Sequence, residues 1–291
     1  HAVVIAEAYS APAPTPSPAP APPAPAPSPP PAPTPAPAPG LGPDPLRSAV
    51  KLLMPFDADL GITHDRCGNA FTNYGATLVS GAVGQAAYFS GGSYIAGAVV
   101  GLVGRADEPI AVECMVDLGA EAYTALTAAG SDFRWCPVIQ LRKSDGTVIW
   151  ALGFFSLLYK VGTVSVRQVR AGFYRSAIPG SGYVAPLTAF GPLITARPGR
   201  FVHLAACTTF DLSGPGWDMI SGCWFDGASG GLGGDVRAKS SLQPVPETDS
   251  SLSLRIGGAS GQMQAYTGGA ATVVPFVGAI DEVRGTAADR Y

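Results

Sequence analysis

From Leu46 onward, short apolar runs alternate with glycine-rich and polar breaks. That spacing predicts strands joined by tight turns, as in a β-sandwich or barrel. Leu46–Asp57 and Ala86–Phe89 read as strands, and Pro109–Leu118 alternates apolar and polar positions in part. The plainest hairpin joins Arg134–Arg142 to Thr147–Phe155 through Lys143-Ser144-Asp145-Gly146, where Asp-Gly takes positive φ at little cost. Further strands are expected at Val161–Val169, Arg200–Thr208, Met219–Phe225, Leu252–Ile256 and Val273–Arg284, with one short helix at Ala120–Ala129. The stretches Asp226–Asp235 and Lys239–Ser251 read as long loops, and no internal repeat is present.

Ahead of this pattern the periodicity is lost. From Ala11 to Pro45 nearly every second residue is proline, with alanine, serine and threonine between. Proline fixes φ and removes a backbone donor, so neither helix nor sheet can form there. Polyproline II is the expected state, and its rise makes the tract a semi-rigid spacer on the order of 90 Å long. Residues 1–10 (HAVVIAEAYS) are β-prone but too short to fold alone, and read either as a frayed terminus or as an anchor that adds a strand to a partner. The expected organisation is an anchor at 1–10, a spacer at 11–45 and a folded domain at 46–291. The opening residues lack the pattern of a signal peptide, and His1 in place of methionine suits a chain whose start has been removed.

Charge narrows the partners. The 291 residues carry a formal net charge of −3 and no Lys/Arg run, so a nucleic-acid partner is not expected. Arg167, Arg170 and Arg175 read as a solvated strand face. No window is apolar enough to span a membrane. Cys67, Cys114, Cys136, Cys207 and Cys223 form no CxxC pair, which argues against structural zinc, and their odd number argues against a dense disulfide framework. Cys114, Cys136 and Cys207 sit in apolar runs and are expected as buried thiols, with one disulfide left open.

Seven segments then fall in a telling order. They are Met54-Pro55-Phe56-Asp57, Asp65-Arg66-Cys67-Gly68-Asn69-Ala70, Val83 to Ile95 (VGQAAYFSGGSYI), Phe201-Val202-His203-Leu204-Ala205, Trp224-Phe225-Asp226-Gly227, Leu254-Arg255-Ile256-Gly257 and Phe276 to Arg284 (FVGAIDEVR). Together they resemble the laminin-G-like branch of the concanavalin-A-like lectin/glucanase superfamily. Cysteine stands for serine in the second segment and phenylalanine for tryptophan in the fourth, while Phe155–Arg200 has no counterpart. The resemblance implies an all-β, antiparallel jelly-roll sandwich whose first and last strands pair. Phe89, Tyr94, Ile280 and Val283 are expected to face its core, and Gly91 and Gly92 to supply a turn.

Catalysis is not expected. The E-x-D-x-x-E array of the superfamily's glycanases is absent, and adjacent Asp281 and Glu282 would point to opposite faces of a strand. Asp57 and Asp59 have a spacing of two but no third acid. His203 lies mid-strand and reads as structural; His64 reads as a surface turn residue. Neither a nucleophile elbow nor a phosphate loop is present. The resemblance implies a calcium ion as the ligand to look for, held by Asp65 and Asp281 with Asp57 as a third, since calcium takes hard oxygens from loop carboxylates and carbonyls. For sugar binding the candidates are loop aromatics with polar neighbours: Trp217 with Asp218, then Tyr74, Trp224 and Tyr266.

Anchor, spacer and sandwich in that order suggest a non-enzymatic virion appendage or decoration protein. A bacteriophage is the expected source, and the alanine, glycine and proline bias points to a GC-rich genome. In that reading residues 1–45 dock on other virion proteins and the head binds a host-surface glycan or a neighbouring subunit, as a homo-oligomer where symmetry asks for one. The alternative is a secreted or cell-surface carbohydrate-binding module on a proline-rich linker.

Overall fold

The computed structural model describes residues 49–57, 61–99, 101–102, 109–130, 132–161, 163–175, 187–194, 198–211, 218–225, 228–229, 235–238, 252–258, 261, 263 and 270–288. All of these lie in the unit Pro43–Tyr291. The expected anchor and spacer, Asp59, Trp217, Tyr266 and Lys239–Ser251 lie outside the described residues.

The elements in chain order are β1 (Val50–Met54), β2 (Phe71–Tyr74), β3 (Thr77–Ser80), β4 (Gln85–Ser90), β5 (Tyr94–Gly97), β6 (Ile110–Leu118) and α1 (Ala120–Thr127). There follow β7 (Arg134–Arg142), β8 (Val148–Val161), β9 (Val164–Arg175), β10 (Leu187–Leu193), β11 (Val202–Asp211), β12 (Asp218–Phe225), β13 (Ala228–Ser229), β14 (Asp235–Ala238), β15 (Ser253–Ile256), β16 (Thr272–Val273) and β17 (Val277–Thr286). One sheet runs β13-β12-β11-β6-β17-β4-β3, with β1 also on β17 and β14 on β12. The other runs β10-β9-β8-β7-β15-β5-β2, with β16 also on β7. Only β16 pairs in parallel among the described ladders. Two antiparallel sheets packed as a sandwich are therefore the fold, as the resemblance implied, and β1 pairs with β17 at the domain's two ends.

Period-two patterning sets which side chains meet. In β6, Ile110, Val112, Cys114, Val116 and Leu118 turn inward, while Glu113, Met115 and Asp117 turn out. Phe89, Ile280 and Val283 are fully buried as expected. Cys114, Cys136 and Cys207 are buried, and burial pushes the Cys114 and Cys136 thiols far above their ordinary value. Trp150 sits in the core with its indole Nε1 donating to the Leu102 carbonyl at 2.8 Å. A second cluster of Phe133, Trp135, Phe155 and Tyr174 lies under Met263 and the partly buried Ala271 and Val273.

Several elements depart from the sequence reading. β1 is shorter than Leu46–Asp57, and β9 starts later and runs on to Arg175. The strand expected over Val273–Arg284 is broken into β16 and β17, because Pro275 lacks the N–H a ladder needs. β5 follows the turn expected at Gly91 and Gly92, whereas β2, β3 and β10 were not foreseen; β2 and β3 are mostly exposed and carry no apolar alternation. Two more short strands were not foreseen: β13 stands in the stretch read as loop, and β14 begins at its last residue, Asp235.

α1 is held from outside. It has no side-chain N-cap bond and no basic residue in its last turn. Arg134, on β7, supplies what is missing: Nη1 donates to the carbonyls of Ala125 (2.7 Å) and Ala128 (3.0 Å), and Nη2 to that of Ala129 (2.9 Å). Its Nε and Nη2 also grip Asp132 at 2.8 and 2.9 Å. Arg167 donates to the Asp132 carbonyl and to Ser156 Oγ, and Ser156 Oγ donates to the Leu126 carbonyl at 2.7 Å. Bonding to Arg134 first, against a smaller burial effect, holds the Asp132 carboxyl well below the usual carboxylate range. A depressed carboxylate adds stability that is present above its unfolded value and lost as pH falls through its folded one. Unfolding free energy measured against pH should therefore decline below about pH 4 in the wild type, and Asp132→Asn should flatten that acid limb.

Candidate functional site

Two outward surfaces gather functional groups, one on each sheet. On the outer face of the eight-stranded sheet, Tyr74 of β2 lies directly opposite Tyr94 of β5. Their rings stack at 4.4 Å and 20°. Arg255 of β15 sits over the Tyr94 ring at 4.1 Å, so the order across three strands is guanidinium, ring, ring. β2 is the last strand of its sheet and Tyr74 is 48% exposed, which leaves the end of the stack open to solvent. Arg142 stands nearby. Burial first, and then the Arg255 charge, pulls its guanidinium below the ordinary value. Tyr94 was expected in the core; it faces outward because the turn through Gly91 carries the chain from one sheet to the other, and Ile95 takes the inward place.

The second surface is a cleft of about 410 Å³ on the outer face of the nine-stranded sheet, lined by Leu53, Val83, Glu113, Met115, His203, Glu282 and Arg284 among others. It lies where β17 changes partners. Val277–Ile280 pair with β4 and Val283–Thr286 with β1. At the change β17 bulges against β6: Asp281 is opposite Met115 and Arg284 opposite Glu113, so Glu282 and Val283 together face the single residue Cys114. Glu282 takes φ +49°. Adjacent Asp281 and Glu282 therefore do not alternate across the strand as the sequence reading held; Val283 turns into the core and Glu282 turns out into the cleft. His203 Nε2 lies 3.0 Å from Glu113 Oε2, and Arg284 Nε is 3.9 Å from Glu113 Oε1. His203 is thus a partly exposed member of a polar cluster. Glu113 and His203 each interrupt an apolar strand at an outward position, and that alternation was the signal available in the sequence.

The aspartates that the resemblance puts at a calcium site are engaged within the protein. Asp65 is buried and accepts from the N–H groups of Leu53 (3.2 Å), Cys67 (3.0 Å) and Asn69 (2.7 Å) and from Asn69 Nδ2 (2.7 Å). It closes the turn after Asp65 by replacing missing backbone acceptors. Asp281, fully buried, accepts from the N–H groups of Val83 (3.0 Å) and Glu282 (2.8 Å). Burial foremost, with the Asp57 charge adding to it, pushes the Asp281 carboxyl up against those backbone bonds. Asp57 pairs with Arg66 at 3.1 Å. Among the described residues no group of three or more His, Cys, Asp or Glu is arranged to hold a metal ion. His64 is an exposed turn residue, its Nδ1 3.1 Å from Thr63 Oγ1. Of the sugar-binding candidates, Tyr74 is on the stacked surface; Trp217 and Tyr266, and the side chains of Asp218 and Trp224, fall outside the described part.

No protein-family model matches the sequence, and no curated protein is significantly similar to it. Among solved structures, the chain is similar to domain 4 of AbnA, a GH43 extracellular arabinanase from Geobacillus stearothermophilus, in complex with arabinotriose, at 16% identity over 82% of this chain and 92% of that one, TM-score 0.39. It is similar to the binding domain of botulinum neurotoxin serotype D/C VPI 5993 at 7% identity and TM-score 0.44, over 84% of this chain and 50% of that one. It is also similar to the carbohydrate-binding module CBM66 from Bacillus subtilis at 10% identity over 74% of this chain and 94% of that one, TM-score 0.28. Among the described residues no helix is long and apolar enough to cross a membrane.

Proposed function

We propose that this chain is a non-enzymatic glycan-binding head carried on a proline-rich spacer. The observation that carries the reading is the open stack of Arg255, Tyr94 and Tyr74 at the edge of the eight-stranded sheet. A sugar ring presents an apolar C–H face and a rim of hydroxyls. An exposed aromatic face takes the first, and neighbouring guanidinium and amide groups take the second. Tyr74 offers the aromatic face, already held in place by Tyr94 behind it, so little side-chain freedom is lost on binding. Arg255 and Arg142 occupy the adjoining strands.

Screening the full chain against an array of bacterial-surface and plant glycans should give a discrete set of ligands. An array without any ligand would remove the proposal. The spacer suits two carriers, a virion and a secreted or surface-bound bacterial protein, and the virion form is the one we propose on the order of anchor, spacer and head. Co-purification of the chain with virions, against its recovery in culture medium, decides between them.

A further inference from the structure

Charge is divided unequally between the two sheets. The strands of the eight-stranded sheet, which bears the open stack, carry Arg134, Arg142, Arg167, Arg170, Arg175 and Arg255 and no Asp or Glu. In the other sheet, β6 and β17 alone carry Glu113, Asp117, Asp281 and Glu282. A chain of net charge −3 thus keeps its acids off the strands that present Tyr74 and Tyr94. An anionic ligand meets least repulsion there.

Two of these arginines reach the stack. Leu141 and Leu254 lie opposite each other and are buried in the core, so Arg142 and Arg255, each one residue further along its strand, turn to the outer face as diagonal neighbours. Arg255 lays its guanidinium over the Tyr94 ring at 4.1 Å. A guanidinium stacked by its face keeps its N–H donors at its rim, where a planar acceptor can meet them. Arg142 stands close enough to feel the Arg255 charge, which adds to burial in holding it below its ordinary value. Asp145, on the exposed β7–β8 turn, offsets part of this while its carboxylate accepts from the Thr147 N–H at 2.8 Å. A carboxylate set between the two guanidinium groups relieves their like-charge contact and suits their fork geometry.

We propose, resting on the glycan reading of this surface, that its ligand is an acidic oligosaccharide: one sugar ring lies on the open face of Tyr74, and Arg142 and Arg255 hold the carboxylate of a residue further along the same chain. Two ring layers separate Arg255 from the open face, so a single uronic acid is too short to make both contacts.

Calorimetric titration of the full chain with tetragalacturonate and with a tetramer of α2,8-linked sialic acid tests this, against galactotetraose and the methyl ester of tetragalacturonate as uncharged controls. At least one acidic tetramer should bind ~10-fold or more tighter than both controls at low salt, and the margin should shrink as salt rises. The tighter of the two identifies the source as uronate or sialate. Arg142→Gln should abolish the margin. Arg142→Lys, which keeps the charge but not the fork, should retain part of it. Lys51→Gln, the same change of charge on the other sheet, should retain all of it. Equal affinity for acidic and uncharged tetramers, no effect of Arg142→Gln, or an equal fall with Lys51→Gln would each overturn the proposal. Uncharged tetramers bound as tightly as acidic ones, and lost in Tyr74→Ala, would overturn it and leave the glycan reading standing. An array without any ligand removes both, so the two failures are distinguishable.

Discussion

Arg134→Ala should lower the unfolding free energy by about 2–3 kcal/mol, since a hydrogen bond to a charged group is worth about 1.5–3 kcal/mol and the Asp132 carboxylate left behind, 35% exposed, regains water. The Arg134 side chain is only 10% exposed, and its guanidinium serves two ends at once. It satisfies carbonyls of Ala125, Ala128 and Ala129 that the end of α1 leaves without intrahelical partners, and it grips Asp132 with two nitrogens. An eight-residue helix has little stability of its own, so it depends on this outside partner. Alanine removes every one of these bonds and leaves the Asp132 carboxylate with Thr272 and the longer Arg167 contact at 3.5 Å. Arg134→Lys should recover only part of the loss, because an ammonium cannot span the fork that a planar guanidinium fills. Urea unfolding reads the effect as a lowered midpoint with unchanged slope. A midpoint within experimental error of the wild type would show that α1 is fixed by its packing alone.

Trp135→Ala should cost about 3–5 kcal/mol, while Trp135→Phe should cost under about 1.5 kcal/mol. Trp135 is fully buried and its ring lies 5.3 Å from Phe155, 5.7 Å from Tyr174 and 6.0 Å from Phe133. Truncation to alanine opens a cavity that three rigid aromatic neighbours cannot close. Phenylalanine keeps much of the volume and also removes a buried indole Nε1 that has no hydrogen-bond partner among the described residues. Trp150 makes the contrast. Its Nε1 donates to Leu102, so Trp150→Phe strands a buried carbonyl and should cost more than Trp135→Phe. Thermal unfolding of the three variants side by side checks the order.

The parts of this fold that sequence exposes are those with strong local rules. The β7–β8 hairpin was legible because Asp145-Gly146 marks its turn, and Gly146 does take φ +92°. The resemblance placed Phe89 of β4 and Ile280 and Val283 of β17 correctly in the core. Short edge strands were not legible, since four residues such as Phe71–Tyr74 are too few to show a period. Tyr94 was assigned to the wrong face because parity does not carry across a turn that switches sheets. Glu282 was misread for a related reason: a bulge resets alternation by one residue, and a glutamate at positive φ leaves no mark in the sequence. Of the sugar-binding candidates, Tyr74 was found from its residue type, whereas its support by Tyr94 and Arg255 depends on strand order and became visible only in the fold.

The central claim, that this sandwich is a glycan-binding head, is tested most directly by calorimetric titration of wild type and Tyr74→Ala with the strongest array ligand. The account predicts binding by the wild type and a loss of about 1–2 kcal/mol, some five- to thirty-fold in affinity, in a variant whose thermal midpoint is unchanged, since an exposed aromatic contact is worth that order of energy. Equal affinity of the two chains would contradict it and would place the glycan site away from the open stack.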